Sequence, residues 1–375
     1  MEGESMSEWK EVKLGDLVTI KYGKDHKSLS DGVFPVFGSG GLMRKVDTYI
    51  YDKPSLLIPR KGTLNNIIYT EERFWTVDTM FWTKVDELQT SAKFLYYYLK
   101  DFNFNALNVG SAVPSLTVPV LNDIDIKLPS TDKQSDIVGI LSSLDAKIET
   151  NNKLNEKLEE MAQAIFKSWF VDFEPFKDKP FHETELGMIP EGWEVGSLSD
   201  IATITMGQSP CGTSYNENGE GIIFYQGRTE FGFRFPSIRL YTTAPSRFAE
   251  VGSTLMSVRA PVGDINMALL RCCIGRGVAS IKSNCDCDSY IYYLMKSLKK
   301  RFDIYNGEGT VFGSVGRDTL RGLLITIPPS SVISDFEMNI SKIDSRIKTN
   351  ELESQRLASL RDTLLPRLMS GELKV

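Results

Sequence analysis

The chain has 375 residues, of which 41% are hydrophobic and 25% are charged, with a mean hydropathy of −0.18 and a net charge of −6. This length suffices for two domains, the composition is typical of a soluble globular protein, and the lack of any run of 18 apolar residues argues against a membrane span. The five cysteines and the acidic start MEGESMSEWK, which does not resemble a signal peptide, predict reduced thiols and a cytoplasmic location.

The charge is distributed unevenly along the chain. Residues 131–192 carry 7 Lys and Arg against 13 Asp and Glu, whereas residues 9–130 carry 15 against 14 and residues 199–330 carry 14 against 11. Basic side chains gathered on one face bind DNA even when the total charge is negative. The two flanking blocks are therefore candidates for nucleic-acid binding, and the acidic middle is a candidate for protein docking.

The first block, residues 9–130, predicts short strands joined by loops, because runs such as SLLIPR and TMFWTKV alternate with Gly, Pro and polar residues. FLYYYLK at 94–100 predicts one short helix, whose tyrosines we expect in the core. FGSGG at 37–41 could be mistaken for a cofactor loop, but no helix and acidic residue complete a dinucleotide fingerprint. We therefore expect this chain to bind no cofactor.

A long helix is predicted over 133–170, where apolar residues recur at alternating spacings of three and four, as in a coiled coil. Residues 171–192 are Pro-rich and charged, which predicts a linker. Its EPFKDK stretch at 174–179 has the Glu and Lys of a nuclease-like pattern, but this position favours a structural hinge. Trp169, Phe170, Phe173 and Phe176 predict either an anchor for the linker or a docking surface.

The second half repeats the first. WKEVKLGDLVTIKYGK from Trp9 resembles WEVGSLSDIATITMGQ from Trp193, and FLYYYLK resembles YIYYLMK at 290–296. LDAKIETN at 144–151 returns as IDSRIKTN at 343–350, a shift of 199 residues that holds along the helical tracts. The repeat predicts a second strand-rich block at 193–330 and a second long helix at 332–369.

Both helical seams become polar at the same two positions. These are Asn151 and Asn155 in the first helix and Asn350 and Ser354 in the second. If the helices pack antiparallel about a pseudo-twofold axis, Asn151 faces Ser354 and Asn155 faces Asn350. Such pairs either fix the register at some cost in stability or mark a hydrated part of the seam.

Metal and histidine chemistry are poorly supported. Cys272, Cys273, Cys285 and Cys287 lie close together, but their spacing is not the CxxC pair usual in zinc sites, which favours buried or strand thiols over a metal. Neither His26 nor His182 lies in a recognisable triad pattern.

Several motifs resemble the specificity (S) subunit of type I restriction–modification systems along the whole chain. They are FPVFGSGGL (34–42), LLIPRKGTLNN (56–66), FWTVDTMFW (74–82), KSWFVDFEPF (167–176), IPEGWEVGSLSDI (189–201), FYQGRTEF (224–231), LMSVRAPVGDIN (255–266), CIGRGVASI (273–281) and TLLPRLMSGEL (363–373). The resemblance implies an α+β fold with two similar α/β target-recognition domains, each followed by a long helix, and the two helices pairing as an antiparallel coiled coil with pseudo-twofold symmetry. The expected boundaries are 1–132 and 193–330 for the recognition domains, 133–170 and 331–375 for the helical segments, and 171–192 for the linker.

The resemblance also implies a non-catalytic subunit that reads one half of a bipartite DNA site with each domain. The implied partners are double-stranded DNA, two copies of an adenine methyltransferase (M) subunit and restriction (R) subunits, with no membrane. The Asn/Asp-Pro-Pro-Tyr/Phe motif expected of an adenine methyltransferase is absent, and the only Pro-Pro lies in IPPS at 327–330. The helices would then act as a ruler for the half-site spacing.

Candidate DNA contacts are loop residues whose donors reach base edges or phosphates. They are Lys24, Lys27, Arg60, Lys61, Asn65, Asn66 and Ser111 in the first block, and Gln226, Arg228, Arg259, Arg276, Thr310 and Ser314 in the second. For Arg259 and Arg276, internal salt bridges in structural turns remain an alternative.

Two other functions remain open at this level. One is an acidic interaction scaffold or DNA-mimic inhibitor without DNA binding, against which the near-neutral to basic blocks argue. The other is an autonomous DNA-modifying enzyme, against which the missing methyltransferase and nuclease motifs argue.

Overall fold

The computed structural model of the protein describes residues 9–306 and 313–375. These residues form two compact units. The first unit comprises residues 9–149 and 354–375, and the second comprises residues 150–306 and 313–353. Each unit contains one strand-rich block and part of both long helices.

The first unit is built mainly from short strands. They are β1 (Lys10–Lys13), β2 (Val18–Tyr22), β3 (Asp31–Gly38), β4 (Gly41–Val46), β5 (Ser55–Pro59), β6 (Ile68–Thr70), β7 (Trp75–Thr76), β8 (Met80–Val85) and β9 (Asp125–Leu128). The helices of this half are α1 (Leu14–Leu17), α2 (Ala92–Lys100), α3 (Val118–Asn122) and the long α4 (Thr131–Phe170). The predicted short helix is confirmed as α2, whose Ser91 side chain accepts a hydrogen bond from the amide of Phe94 and caps the first turn.

The second half of the chain continues with thirteen strands among the described residues. They are β10 (Phe181–Thr184), β11 (Gly187–Pro190), β12 (Glu194–Ser197), β13 (Ala202–Met206), β14 (Tyr215–Asn216), β15 (Ile222–Tyr225), β16 (Tyr241–Thr242), β17 (Phe248–Ala249), β18 (Thr254–Ser257), β19 (Ile265–Met267), β20 (Cys272–Ile274), β21 (Val278–Ser283) and β22 (Leu324–Ile327). The helices are α5 (Leu198–Ile201), α6 (Asp288–Ser297), α7 (Lys299–Phe302), α8 (Arg317–Arg321) and the long α9 (Ser330–Met369).

Equivalent sheets occur in the two units, which confirms the internal repeat. The order β2-β8-β5-β6 in the first unit corresponds to β13-β21-β18-β19 in the second, and both sheets are antiparallel throughout. A glycine directly follows the first strand of each sheet and touches a neighbouring loop. A Cβ on Gly23 would stand 2.0 Å from the carbonyl oxygen of Val77, and one on Gly207 would stand 2.1 Å from that of Gly275. Only glycine permits so close an approach.

The long helices start slightly earlier than predicted, at Thr131 and Ser330. Within the second unit they run antiparallel, since Asn155 contacts Asn350 while Phe170 contacts Phe336. Within the first unit, α4 and α9 likewise contribute apolar side chains to one core with α2. The α+β class and the antiparallel pairing are thus confirmed.

Three of the four polar seam residues, Asn151, Asn155 and Asn350, are buried. Asn155 and Asn350 are both almost fully buried, and Asn350 Nδ2 donates a hydrogen bond of 2.8 Å to Asn155 Oδ1, which is the predicted pair. Asn151 Nδ2 donates instead to Glu353 Oε2 at 2.8 Å and to the carbonyl of Asn350 at 3.4 Å. The pairing of Asn151 with Ser354 remains a prediction.

The segment predicted to be a linker, residues 171–192, is folded. Strands β10 and β11 form an antiparallel hairpin, and a short 3-10 turn spans Glu174–Phe176. Phe173 and Phe176 pack against Trp193 with ring centroids 5.2 Å away in each case. These contacts support the anchor interpretation of the aromatic residues, and the Pro and charged residues of the segment did not indicate the hairpin.

The predicted core tyrosines also anchor each block to the long helices. In the first unit, Tyr97 Oη donates to Asp145 Oδ2 at 2.7 Å, and Arg361 Nη1 donates to Asp145 Oδ1 at 2.6 Å. In the second unit, Tyr293 Oη donates to Asp344 Oδ1 at 3.0 Å. Asp145 and Asp344 are related by the 199-residue shift, so each block forms a hydrogen bond to the equivalent carboxylate of a long helix.

The second anchor, the contact of Tyr293 with Asp344, also contains a buried arginine that no sequence pattern indicated. Arg234 is 1% exposed, and its Nη1 donates to Asp344 at 2.8 Å while Nη2 pairs with Glu159. Lys296 also pairs with Glu159. Burial alone would raise the pKa of Glu159, but the positive charges of Arg234 and Lys296 outweigh it and lower the pKa below its ordinary value.

Cys272, Cys273 and Cys287 are buried as expected, but the expectation was wrong for Cys285, which is exposed because it lies in the turn after β21. Cys272 and Cys273 lie in β20, and Cys287 precedes α6. Burial raises the pKa of the Cys272 thiol to about 12. Among the described residues, no group of His, Cys, Asp and Glu has a metal-binding arrangement. Nor does any helix in the described part of the chain have the length and apolar character needed to cross a membrane.

Candidate nucleic-acid interface

Several loops of the first unit meet at one edge of the sheet β2-β8-β5-β6. Strands β2 and β5 end at this edge and β8 begins there, because Tyr22 and Ile58 both pair with Phe81. The amide of Lys24 donates to the carbonyl of Thr76 at 2.9 Å, and the amide of Arg60 donates to that of Thr79 at 2.8 Å. The loops that carry the predicted contacts are therefore held side by side.

A third loop joins this edge through a backbone bridge between Lys61 and Ser115. Its shape depends on Asn108, whose Oδ1 accepts hydrogen bonds from the amides of Gly110 at 2.9 Å and Ser115 at 2.8 Å. Ser111 is exposed at the tip of this loop. Asn108 is not among the site residues predicted from the sequence, although an Asn before a Gly/Ser run is a common signal for a turn.

The lysines of this edge are available to a ligand. Lys24, Lys27 and Lys61 are exposed, and none of them forms an ion pair with any residue that the structure describes. Arg60 is only half-buried, but its guanidinium is held by a hydrogen bond of 3.2 Å to the carbonyl of Asp78 and lies 5.3 Å from the ring centroid of Tyr22. This edge thus presents exposed ammonium groups beside a positioned guanidinium.

The two predicted asparagines have structural contacts. Asn65 Oδ1 accepts from the amide of Asn105 at 3.2 Å, and Asn66 Nδ2 donates to the carbonyl of Ser39 at 2.8 Å. Both side chains therefore shape the loop, and a contact with adenine would use their remaining hydrogen-bonding groups. Their role in DNA contact remains a prediction.

The second unit has the same edge built from equivalent backbone contacts. The amide of Gln208 donates to the carbonyl of Ile274 at 3.0 Å, as Lys24 does to Thr76. Arg259 forms a backbone bridge with Ser314, as Lys61 does with Ser115. Lys61 and Arg259 consequently occupy equivalent positions, an equivalence that becomes visible only when strands and bridges are matched.

Most predicted residues of the second block lie at this edge. Gln226, Arg259, Arg276 and Ser314 are exposed, and the amide of Gly277 donates to the carbonyl of Gln226 at 3.4 Å. Within the described residues, neither Arg259 nor Arg276 forms an ion pair, so the alternative of internal salt bridges finds no support there. Thr310 lies outside the described residues.

Arg228 differs from the other predicted cations because it is already paired. Its guanidinium forms an ion pair with Asp264, which also accepts a hydrogen bond of 3.0 Å from Lys299 Nζ. Burial would raise the pKa of Asp264, but Lys299 and Arg228 together lower it. The three side chains border an open cleft of about 600 Å³. A DNA contact by Arg228 remains a prediction. It would require the guanidinium to bind DNA and Asp264 together, or to release Asp264.

The family of the type I restriction modification DNA specificity domain matches residues 6–160 and 190–361. A putative type I restriction enzyme MjaX specificity subunit from Methanocaldococcus jannaschii is 35% identical over 265 residues, which represent 70% of this chain and 62% of that protein. The MjaIX specificity subunit of the same organism is 28% identical over 353 residues, which represent 87% of this chain and 79% of that protein.

A solved structure shows the same fold. The S subunit of a type I restriction–modification system from M. genitalium superposes with a TM-score of 0.66 over 96% of each chain, at 16% sequence identity. The family match covers both strand-rich blocks and most of both long helices. The chain therefore belongs to the family of type I restriction–modification DNA specificity subunits.

Proposed function

We propose that this chain reads a two-part sequence in double-stranded DNA, with one half-site contacted by each strand-rich block. The observation that carries this proposal is the repeated sheet edge, where equivalent backbone bridges present Lys61 in one unit and Arg259 in the other. Exposed cations at such an edge neutralise phosphates, while neighbouring loops reach the base edges. Two similar but non-identical edges suit a target with two different halves.

In this proposal the chain catalyses no reaction and binds no cofactor of its own. It directs two copies of an adenine methyltransferase subunit, together with restriction subunits, to the DNA site. The named relatives, which are specificity subunits, support this assignment, and the twofold repeat of the chain suits two identical partners. The family resemblance implies two methyltransferase copies, and native mass spectrometry of the assembled complex would test this number.

The test is to assemble the chain with its methyltransferase subunit and map methylated adenines in a library of random duplexes. We expect one bipartite sequence to be methylated. Equal methylation of all duplexes would contradict the reading role. The DNA-mimic alternative predicts no DNA binding by the complex, and the autonomous-enzyme alternative predicts methyl transfer by the purified chain alone from a labelled donor.

The proposed ruler role of the helices has a separate test. Insertion of one heptad into both α4 and α9 adds about 10 Å at 1.5 Å per residue. We expect the preferred spacer between the half-sites to lengthen while both half-sites stay the same. An unchanged spacer would show that the helices do not set the distance.

A further inference from the structure

The hairpin formed by β3 and β4 in the first unit adjoins the basic edge. Its turn lies at Ser39 and Gly40, and the Asn66 side chain donates to the carbonyl of Ser39 at 2.8 Å. A Cβ placed on Gly62 would lie 3.2 Å from the Ser39 hydroxyl oxygen, so the turn also touches the loop that follows Arg60. The hairpin and the basic loop therefore form one continuous surface.

The tip of this hairpin is apolar and open. Leu42 is 60% exposed and Met43 is 56% exposed. Cβ atoms placed on Gly40 and Gly41 would meet no described atom within 4 Å, so the turn itself is uncovered. Leu42 and Met43 are successive residues of β4, so this end of the hairpin exposes one large apolar side chain on each of its two faces.

The second unit carries predicted DNA contacts in the segment equivalent to this hairpin. Strand β3 pairs in parallel with β7 as β15 pairs with β20, and the amides of Val77 and Gly275 donate to the carbonyls of Phe37 and Tyr225 respectively. The segment that follows β3 is therefore equivalent to the segment that follows β15. In the second unit this segment begins with Gln226 and contains Arg228, which are donors suited to base edges. In the first unit it contains Leu42 and Met43.

We propose that Leu42 and Met43 read DNA bases by contacting the 5-methyl group of thymine in the major groove. The inference rests on the proposed DNA-reading function. The major groove admits a two-stranded β-ribbon, and the thymine methyl is the apolar group that it displays. The exposed lysines Lys24 and Lys61 at the adjoining edge favour a polyanion over an apolar protein partner. The first half-site therefore contains at least one thymine that is recognised by apolar contact.

The experiment uses the assembled complex with the methyltransferase subunit and duplexes that contain its mapped methylation site. Each thymine of both half-sites is replaced in turn by uracil, which lacks only the 5-methyl group. We expect wild-type affinity to fall about three- to tenfold for uracil at one or two positions within one half-site. The variant Leu42→Ser/Met43→Ser should lose a similar factor on the thymine duplex and bind thymine and uracil duplexes equally at those positions.

The matched control is Leu88→Ser, which replaces a leucine that is 90% exposed in the turn after β8. This variant should keep the wild-type affinity and the wild-type preference for thymine. The uracil scan of the wild-type complex does not depend on whether the double variant folds.

The inference is wrong if uracil is tolerated at every position, if the mapped half-sites contain no thymine, or if the double variant keeps the preference for thymine. Failure of the proposed function gives a different result, because a complex that does not read DNA would show no mapped site at all.

Discussion

In each unit, a tyrosine, an aspartate and an arginine join the strand-rich block to the long helices. The tyrosines and aspartates are equivalent in the repeat, whereas the two arginines come from different parts of the chain. In the first unit, Arg361 of α9 reaches Asp145 and is partly exposed. In the second unit, Arg234 of the block itself reaches Asp344 and is buried. A shift of 199 residues from the position of Arg361 leads to Ala162, which is fully buried and carries no charge.

The repeat therefore preserves the helix carboxylate, Asp145 or Asp344, but not the position in the chain of the arginine that pairs with it. A side chain from the second block enters the helix pair and forms ion pairs with both α4 and α9. The first block has no such buried arginine among the described residues. Exchange of the second block for that of another family member should therefore require a residue that replaces Arg234, whereas the first anchor receives its cation from α9.

The largest effect is expected for Arg234→Met. Its removal leaves Glu159 and Asp344 buried with fewer partners, and breaking one side of a buried ion pair costs about 3–5 kcal/mol of unfolding free energy. Urea unfolding followed by far-ultraviolet circular dichroism would measure this loss. A loss below about 1 kcal/mol would show that the buried arginine is dispensable for the anchor.

The next effect concerns Glu351, whose Oε1 accepts a hydrogen bond of 3.0 Å from the amide of Arg234. Burial raises the pKa of Glu351 to about 7, against an ordinary value of 4.5. The folded protein therefore binds this proton more tightly than the unfolded chain does, and the contribution to stability is lost as the pH rises from 4.5 to 7.

We expect Glu351→Gln to keep the hydrogen-bond acceptor and to remove this pH dependence. The stability of the variant relative to wild type should rise by about 2–3 kcal/mol between pH 4.5 and pH 8. Urea unfolding at both pH values would measure it. The 199-residue shift places exposed Asn152 at the equivalent helix position, so Asn152→Asp is a matched control that should show little change.

A smaller effect is expected for Arg361→Met in the first anchor. The side chains of Arg361 and Asp145 are 16% and 31% exposed, so water replaces part of the lost interaction. The expected loss of unfolding free energy is about 1–2 kcal/mol. Equal losses for Arg361→Met and Arg234→Met would remove the energetic distinction between the two anchors.

The smallest effect is expected for Lys61→Ala and Arg259→Ala, which lie at the equivalent sheet edges of the two units. Because the two positions are equivalent and suited to phosphate contact, each change should weaken DNA binding about three- to tenfold and reduce the slope of log affinity against log salt by about 1. Titrations at several salt concentrations would test this. A change in the preferred sequence would instead assign these side chains to base reading.

The sequence predicted the features that follow from periodicity and repetition. The long helices follow from the seam spacing and the shift of 199 residues, and the Asn155–Asn350 pair follows once the antiparallel pairing implied by the family resemblance is assumed. These features are predictable because a helix repeats every few residues and a duplicated chain repeats its contacts. The linker at 171–192 connects α4 to the second block, but its Pro and charged residues did not indicate that it folds into a short hairpin and a 3-10 turn.

The sequence alone determined the class of the protein, its two-block organisation and the loops that contain most candidate DNA contacts. The tertiary structure was needed to show that Lys61 is equivalent to Arg259 and that Arg228 is ion-paired. It was also needed to place Leu42 and Met43 beside the basic edge. Arg234 lies in the unremarkable stretch FGFRF, 75 residues from Glu159 and 110 residues from Asp344. No local pattern reports such contacts, because they arise when distant segments pack together and a charge excluded from water must find partners of opposite sign.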